Sequence, residues 1–159
     1  MKTCIVYLTK HGTSEKAAFM LKGAIGNGCV VLNLKNEKNI ALNDYDNVIV
    51  GGSIHVGKLN KSLSQFIKEN EKVLLSKRLG LFLCCMESEE VAKQEFETAF
   101  SEQLRNHASA AEVFGGEFLF EEMNFIEKAI VKKVAGVQET THRLDHRKIE
   151  SFAEKFRGE

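Results

Sequence analysis

Net charge is the first thing the sequence lacks, because 22 lysines and arginines balance 22 aspartates and glutamates. No global field therefore draws the chain to nucleic acid or to an acidic surface. No apolar run approaches the ~20 residues of a membrane-spanning helix. The opening MKTCIVYLTKHG is too short and too soon interrupted for a secretory signal. Cys4, Cys29, Cys84 and Cys85 show no Cys-x-x-Cys spacing, and three of them sit inside apolar runs. They read as buried thiols of a protein in a reducing cytoplasm. Cys84 and Cys85 are adjacent on an expected strand, where successive side chains point to opposite faces, which argues against a redox disulfide. Proline and tryptophan are absent, and their absence excludes no function.

What is present is an alternation of short β-branched runs with longer stretches of helical spacing. Thr3–Thr9 reads as a strand, Ser14–Ile25 as a helix, and Cys29–Leu34 as a second strand after the turn GNG. Asn47–Ser53 (NVIVGGS) reads as a third strand, and Ser62–Asn70 as a helix opened by a Ser-x-x-Gln capping box. Leu79–Met86 is the expected fourth strand. Ser88 then caps a long helix with Glu89 and Glu90 in its first turn, where the helix dipole favours acid. Ala111–Phe120 is the expected fifth strand, Glu121–Ala135 an amphipathic helix, and Asp145–Phe156 the last helix. Strands that are apolar throughout, each followed by a helix, predict a parallel sheet covered on both faces. The fold class is α/β: one domain over residues 1–159, with a doubly wound five-stranded parallel sheet in the order 2-1-3-4-5. Only Glu121 to Asp145 is surplus to that architecture.

In such a sheet, ligands bind at the carboxyl ends of the strands, where the winding reverses between the first and third. The stretch YLTKHGTSEKAA falls there, and its loop carries Thr9, Lys10, His11, Gly12, Thr13 and Ser14 with no carboxylate before Glu15. Its amides open a helix, so they are donors at the positive end of a dipole, suited to an anion such as phosphate. Gly12 permits close backbone approach, and the hydroxyls of Thr9, Thr13 and Ser14 add donors. Gly-x-x-x-x-Gly-Lys-Ser/Thr is absent, which excludes a nucleoside-triphosphate loop. The dinucleotide Gly-x-Gly-x-x-Gly is absent too, and GAIGNG has its glycines in the wrong order at the end of a helix. A phospho-acceptor receiver domain needs acids after the first strand and an aspartate after the third, where this chain has Thr-Lys-His and Gly-Gly-Ser.

TKHGTS resembles the Thr/Ser-x-x-Gly-x-Thr/Ser loop of flavodoxins, which wraps the terminal phosphate of FMN. VIVGGSIHVGKLNKSLSQFIKEN is similar to the Gly-x-Ser-Ile-x-x-Gly segment in the flavodoxin-like branch that contains menaquinone-dependent protoporphyrinogen dehydrogenase. EKAIVKKVAGVQETTHRLDHRKIESFAEKF resembles the helix, Gly-x-x-x-x-Thr segment and terminal helix of that branch. The resemblance implies FMN as cofactor, with Thr9, Lys10, His11, Gly12, Thr13 and Ser14 around its phosphate. Ser53, Ile54, His55, Val56 and Gly57 would lie against one face of the isoalloxazine, and Cys85, Met86 and Glu87 at its pyrimidine edge. The implied partner is a redox protein or a quinone, with a porphyrinogen-like substrate in the narrower reading and peripheral membrane contact as an option.

The chain departs from electron-shuttling flavodoxins in two ways: no aromatic residue flanks the expected ring site, and there is no excess of acid. Steering towards a basic partner is then weak, and an anionic reduced flavin is less disfavoured. His55 and Lys58 either stabilise that anion or are solvated loop residues. The Met123, Ile126, Ile130 and Val134 stripe either faces the core or joins Phe114, Phe118, Phe120 and Phe125 as a docking surface for a quinone or membrane interface. His142 and His146 stand four apart, a metal-binding spacing only if helical.

Overall fold

TCIVYL, residues Thr3–Leu8, forms strand β1 and is buried at every position. An apolar strand without polar alternation needs cover on both faces, and its neighbours in the sheet show how it obtains it. The computed structural model describes residues 1–9, 12–55, 57–85, 87–115, 117–118, 141–142 and 144–158. After β1 come α1 (Thr13–Ile25), β2 (Cys29–Asn33), a short 3-10 turn (Leu42–Asp44), β3 (Asn47–His55), β4 (Lys58–Leu59), α2 (Lys61–Glu69) and α3 (Glu71–Leu75). β5 (Arg78–Cys84), α4 (Glu89–Ala99), α5 (Glu102–His107), β6 (Ala110–Val113), β7 (Glu117–Phe118), β8 (Thr141–His142) and α6 (His146–Arg157) follow.

The sheet order is β2-β1-β3-β5-β6, with β4 paired to β3 alone. The path strands are parallel, with Tyr7 opposite both Asn33 and Gly51. Leaving aside the two-residue β4, this is the doubly wound order expected from the sequence. Alternate residues of β1 feed two cores, as a period of two requires. Ile5 and Tyr7 join Ala17, Ala18 and Leu21 of α1 and Ile149, Phe152 and Phe156 of α6. Cys4, Val6 and Leu8 join Leu63 and Ile67 of α2, Leu74 of α3 and Leu104 of α5. Each fully buried side chain of this size contributes roughly 1.5–3 kcal/mol.

Two glycines let the central strands close up. A Cβ on Gly51 would stand 2.2 Å from the Phe82 ring, which stacks on Phe114 with centroids 5.2 Å apart. A Cβ on Gly52 would meet Leu63 at 2.4 Å, so α2 lies directly on the end of β3.

Several expectations need correction. The cap of α2 is Asn60, whose Oδ1 accepts from the Ser62 amide at 2.8 Å; Ser62 itself is already helical. The long helix after Ser88 breaks at Phe100, which is extended and fully buried, and Ser101 caps a new helix. Burying that ring in the lower core outweighs helix continuity. The fifth strand ends at Val113 rather than Phe120. Gly115 turns the chain at φ 77°, and Glu117–Phe118 pairs antiparallel with Thr141–His142. His142 is therefore in a strand, so its spacing to His146 is not helical. The described residues contain no cluster of three or more potential metal ligands. Phe114 is 0% exposed, which removes it from any docking surface. The expected helix Glu121–Ala135, with Met123, Phe125, Ile126, Ile130 and Val134, lies outside the described residues, as does Phe120. Among the described residues no helix is long and apolar enough to cross a membrane. All four cysteines are buried, and none is in a disulfide.

Two glycine substitutions should move stability in opposite directions. Gly51→Ala overpacks against Phe82 and should cost about 1–3 kcal/mol. Gly23→Ala, inside α1 with nothing within 4 Å of the added Cβ, should gain about 0.5–1 kcal/mol. Urea unfolding of both variants measures this, and equal effects would contradict the packing described.

Alkaline stability supplies a second check. Burial, with a smaller contribution from the nearby Cys29, pushes the Cys4 thiol up from the usual 9.0 to about 12. The thiol ionises less readily in the folded chain than in the unfolded one. Its contribution is therefore complete below pH 9 and is lost as pH rises towards 12. The urea midpoint should fall over that window, less steeply in Cys4→Ala; identical slopes would exclude Cys4 as a cause.

Candidate functional site

β1, β3 and β5 all deliver their carboxyl ends to one edge of the sheet, and three short segments leave from there. The first runs from Thr9 into α1. Thr9 Oγ1 accepts a hydrogen bond from the Gly12 amide at 2.9 Å, closing the loop on itself. Gly12 adopts the left-handed conformation (φ 91°, ψ −8°) and is the N-cap of α1. A glycine cap has no side chain to offer the first-turn amides. The other helix starts are served differently. Asn60 caps α2, Ser88 caps α4, Ser101 caps α5, and Asp145 accepts from the amides of Arg147 and Lys148 at the start of α6. Among the described helices of eight residues or more, α1 alone begins without a side-chain cap. Its positive end has the polarity that suits an anion.

Thr13 and Ser14 are 5% and 0% exposed, so both are buried at the foot of this loop. Ser14 hydrogen-bonds Ser53 on β3, hydroxyl to hydroxyl, tying the first segment to the second. β3 projects beyond the sheet to His55 and returns as β4, with Ile54 opposite Leu59 and His55 opposite Lys58. Gly57, at φ 72°, supplies the left-handed residue of that turn. The third segment leaves β5 at Cys85, whose amide donates to the Gly115 carbonyl at 2.7 Å. Burial pushes the Cys85 thiol up, and the acids Glu87 and Glu95 push it further, so it is a neutral thiol at working pH.

Of the residues the sequence singled out, Thr9, Gly12, Thr13, Ser14, Ser53, Ile54, Gly57, Cys85 and Glu87 fall on these three segments. The backbone of His55 ends β3 beside them. Lys10, His11, Val56 and Met86 lie outside the described residues. One residue was missed: Glu95 of α4 brings Oε1 to 4.0 Å from where a Gly57 Cβ would stand, and its charge reaches Cys85. No local motif marks it; only its place on α4 could have revealed it.

A family model described as a flavodoxin domain matches residues 4–145. The chain belongs to the flavodoxin family. Three solved structures share the fold. A short-chain flavodoxin associated with a bacterial microcompartment aligns with TM-score 0.66 at 15% identity, covering 99% of this chain and 98% of that one. Flavodoxin 1 from Bacillus cereus gives 0.64 at 18% identity, with 99% and 98% covered. Flavodoxin 2 from Bacillus cereus gives 0.64 at 20% identity, with 99% of each chain covered. No curated protein matches the chain. These likenesses reach flavodoxins and do not reach the protoporphyrinogen dehydrogenase branch. The family's cofactor is FMN, and a glycine-capped helix start with buried hydroxyls fits its phosphate.

Replacing Gly12 tests that fit. A Cβ in the left-handed region costs about 1–2 kcal/mol. Gly12→Val should therefore lower FMN affinity at least tenfold, while Gly12→Asn, which tolerates that conformation better, should lose less. Flavin fluorescence quenching measures both, and undiminished affinity in the valine variant would contradict the cradle.

Proposed function

We propose that this protein carries electrons on FMN held by three segments at the carboxyl edge of the sheet. Thr9, Lys10, His11, Gly12, Thr13 and Ser14 bind the phosphate. Ser53, Ile54, His55, Val56 and Gly57 cover one face of the ring, and Cys85, Met86 and Glu87 meet its pyrimidine edge. The observation that carries this reading is the start of α1, where a left-handed glycine replaces the side-chain cap. When bound, FMN supplies the redox chemistry, and the protein's part is to bind, orient and tune it. Thr9 fixes the loop through Gly12, and the Ser14–Ser53 bond couples the phosphate cradle to the ring loop. The segments beside the ring present no aromatic side chain, so the phosphate carries a larger share of the affinity than in a site with stacked rings.

Whole-chain neutrality does not make the ring site neutral. Glu87 and Glu95 both act on Cys85, and His55 pairs with Lys58 in the β3–β4 hairpin. In this reading the balance of those acids and bases around the ring sets the second-electron potential. Partner docking falls to this local rim rather than to a global field.

The narrower reading, oxidation of a porphyrinogen-like substrate with a quinone as acceptor, rests on the sequence likeness of GSIHVG and of residues 127–156. The burial of Phe114 takes one aromatic residue from the docking surface which that reading invoked. We favour the carrier.

Chromatography of the released cofactor should give FMN and not FAD, since nothing in the sequence resembles a second, adenylate-binding motif. Recovery of FAD, or of no flavin from protein refolded with FMN, would overturn the proposal. Spectroelectrochemistry should show His55→Ala lowering the second-electron potential and Glu95→Gln raising it. Each shift should be tens of millivolts, the scale of a charge interaction of about 1 kcal/mol. No shift in either variant would make both residues bystanders.

A further inference from the structure

We propose that β2, the outer strand beside β1, is a self-pairing edge at which two copies of this chain join antiparallel across a two-fold axis through Val31. The surface lies away from the three candidate FMN segments, and the inference does not rest on the FMN reading.

Strand β2 ends the sheet, and among the described residues no strand pairs with its outer side. Its bonds to β1 fix which backbone groups face outward. The Gly28 carbonyl accepts the Thr3 amide at 2.9 Å, and the Leu34 amide donates to the Tyr7 carbonyl at 2.9 Å. Along a parallel strand, residues that turn both groups towards a given neighbour alternate with residues that turn both away. Val30 and Leu32 therefore bond β1, while Cys29, Val31 and Asn33 turn outward. The Asn33 carbonyl already accepts the amides of Asn36 and Glu37. Val31, at the centre, keeps an outward N–H and C=O with no partner among the described residues.

The two edges of the sheet differ in how they meet this exposure. At the far edge, β6 carries Glu112, whose Oε1 accepts the Val113 amide at 3.0 Å and stands 3.7 Å from Lys148 Nζ. Charge on an edge strand discourages pairing with another chain. β2 reads CVVLN, without charge or proline, and Val30 is 40% exposed. A two-fold axis through Val31 makes this strand its own complement. Val31 exchanges both backbone bonds with the partner's Val31, and the Asn33 amide meets the partner's Cys29 carbonyl. The exposed Val30 then lies opposite the partner's Leu32.

Helix α1 adds charge complementarity about the same axis. It packs on both β1 and β2, and the turn Gly26–Gly28 joins its last residue to β2. Phe19 precedes Ile25 by about 9 Å of helix. Val31 follows Gly28 by about 10 Å of strand. Phe19, 51% exposed, is therefore level with Val31. Residues opposite each other on antiparallel strands share a face, so the two copies of α1 run antiparallel on one face of the joined sheet. Glu15 and Lys22 are both exposed and stand two turns apart, on one side of the helix. That side is towards β2: burial raises the Cys29 thiol and the Lys22 charge lowers it. Each Glu15 is then level with the partner's Lys22, with the two Phe19 rings between. The carboxyl edges of the two sheets point opposite ways, which leaves both candidate sites open.

Analytical ultracentrifugation of the full chain tests the pairing. The wild-type chain should sediment at twice its 17.8 kDa mass and dissociate on dilution. Val31→Pro deletes an outward N–H and spares the bonds of Val30 and Leu32 to β1, so it should sediment as a monomer with unchanged circular dichroism. A wild-type chain that stays at 17.8 kDa up to about 100 μM would overturn the proposal and leave the edge to a strand of some other protein. A dimer that persists in Val31→Pro would overturn it too. If the proline variant does not fold, Val30→Lys serves, because it sets an ammonium opposite the partner's Leu32 at a position the single chain leaves in solvent. A monomer is expected there, and an undiminished dimer would refute the register.

Discussion

The structure turns on one unfilled electrostatic position, the positive end of α1. A helix start that is buried on one side and capped by glycine is costly unless something supplies acceptors for its amides. At α2, α4, α5 and α6 asparagine, serine or aspartate does so. At α1 no side chain caps the first turn: Thr9 closes the loop on the Gly12 amide, and Thr13 and Ser14 are buried. In the proposed site a bound phosphate completes the helix, and charge-assisted hydrogen bonds of that kind are worth roughly 1.5–3 kcal/mol each. Much of the remaining architecture keeps that end in place. β1 is buried on both faces, and α1 is locked to the sheet by Ala17, Ala18 and Leu21. α6 lies alongside α1, with the Arg157 guanidinium on the Ala24 carbonyl.

The ring end, as proposed, follows a different principle. The residues assigned to it include no Phe, Tyr or Trp, which leaves specificity to backbone shape and to charges close by. Gly51 and Gly52 allow β3 to pack tightly between Phe82 and Leu63, which fixes where the hairpin emerges. Glu95 Oε1 stands 4.0 Å from where a Gly57 Cβ would be, next to Lys58 in the β3–β4 hairpin, a proximity invisible in a net charge of zero.

Much of this was legible in the sequence because its signals are local or periodic. TCIVYL and RLGLFLC are apolar without alternation, and that pattern alone demands central parallel strands. Gly12 flanked by hydroxyls after such a strand marks the cradle. The failures have a common cause: they depend on competition between distant parts of the chain. Phe100 ends a helix because the core between α3 and α5 takes its ring. Asn60 displaces Ser62 as the cap because the β3–β4 hairpin sets where α2 begins. Phe114 looks like a candidate docking residue until its stacking on Phe82 and its edge contact with Phe152 place it inside. Glu95 carries no motif, since its approach to the Gly57 turn joins elements that only the fold brings together.

Phosphorus NMR of the FMN-loaded protein, followed across pH, tests the occupied helix end most directly. A free phosphomonoester changes charge with a pKa of about 6. A phosphate held by the α1 amides and the hydroxyls of Thr9, Thr13 and Ser14 is locked as the dianion. Its resonance should be displaced from that of free FMN and stay constant from about pH 5 to 8. A resonance that titrates near pH 6 at the free position would place the phosphate in solvent and contradict the cradle.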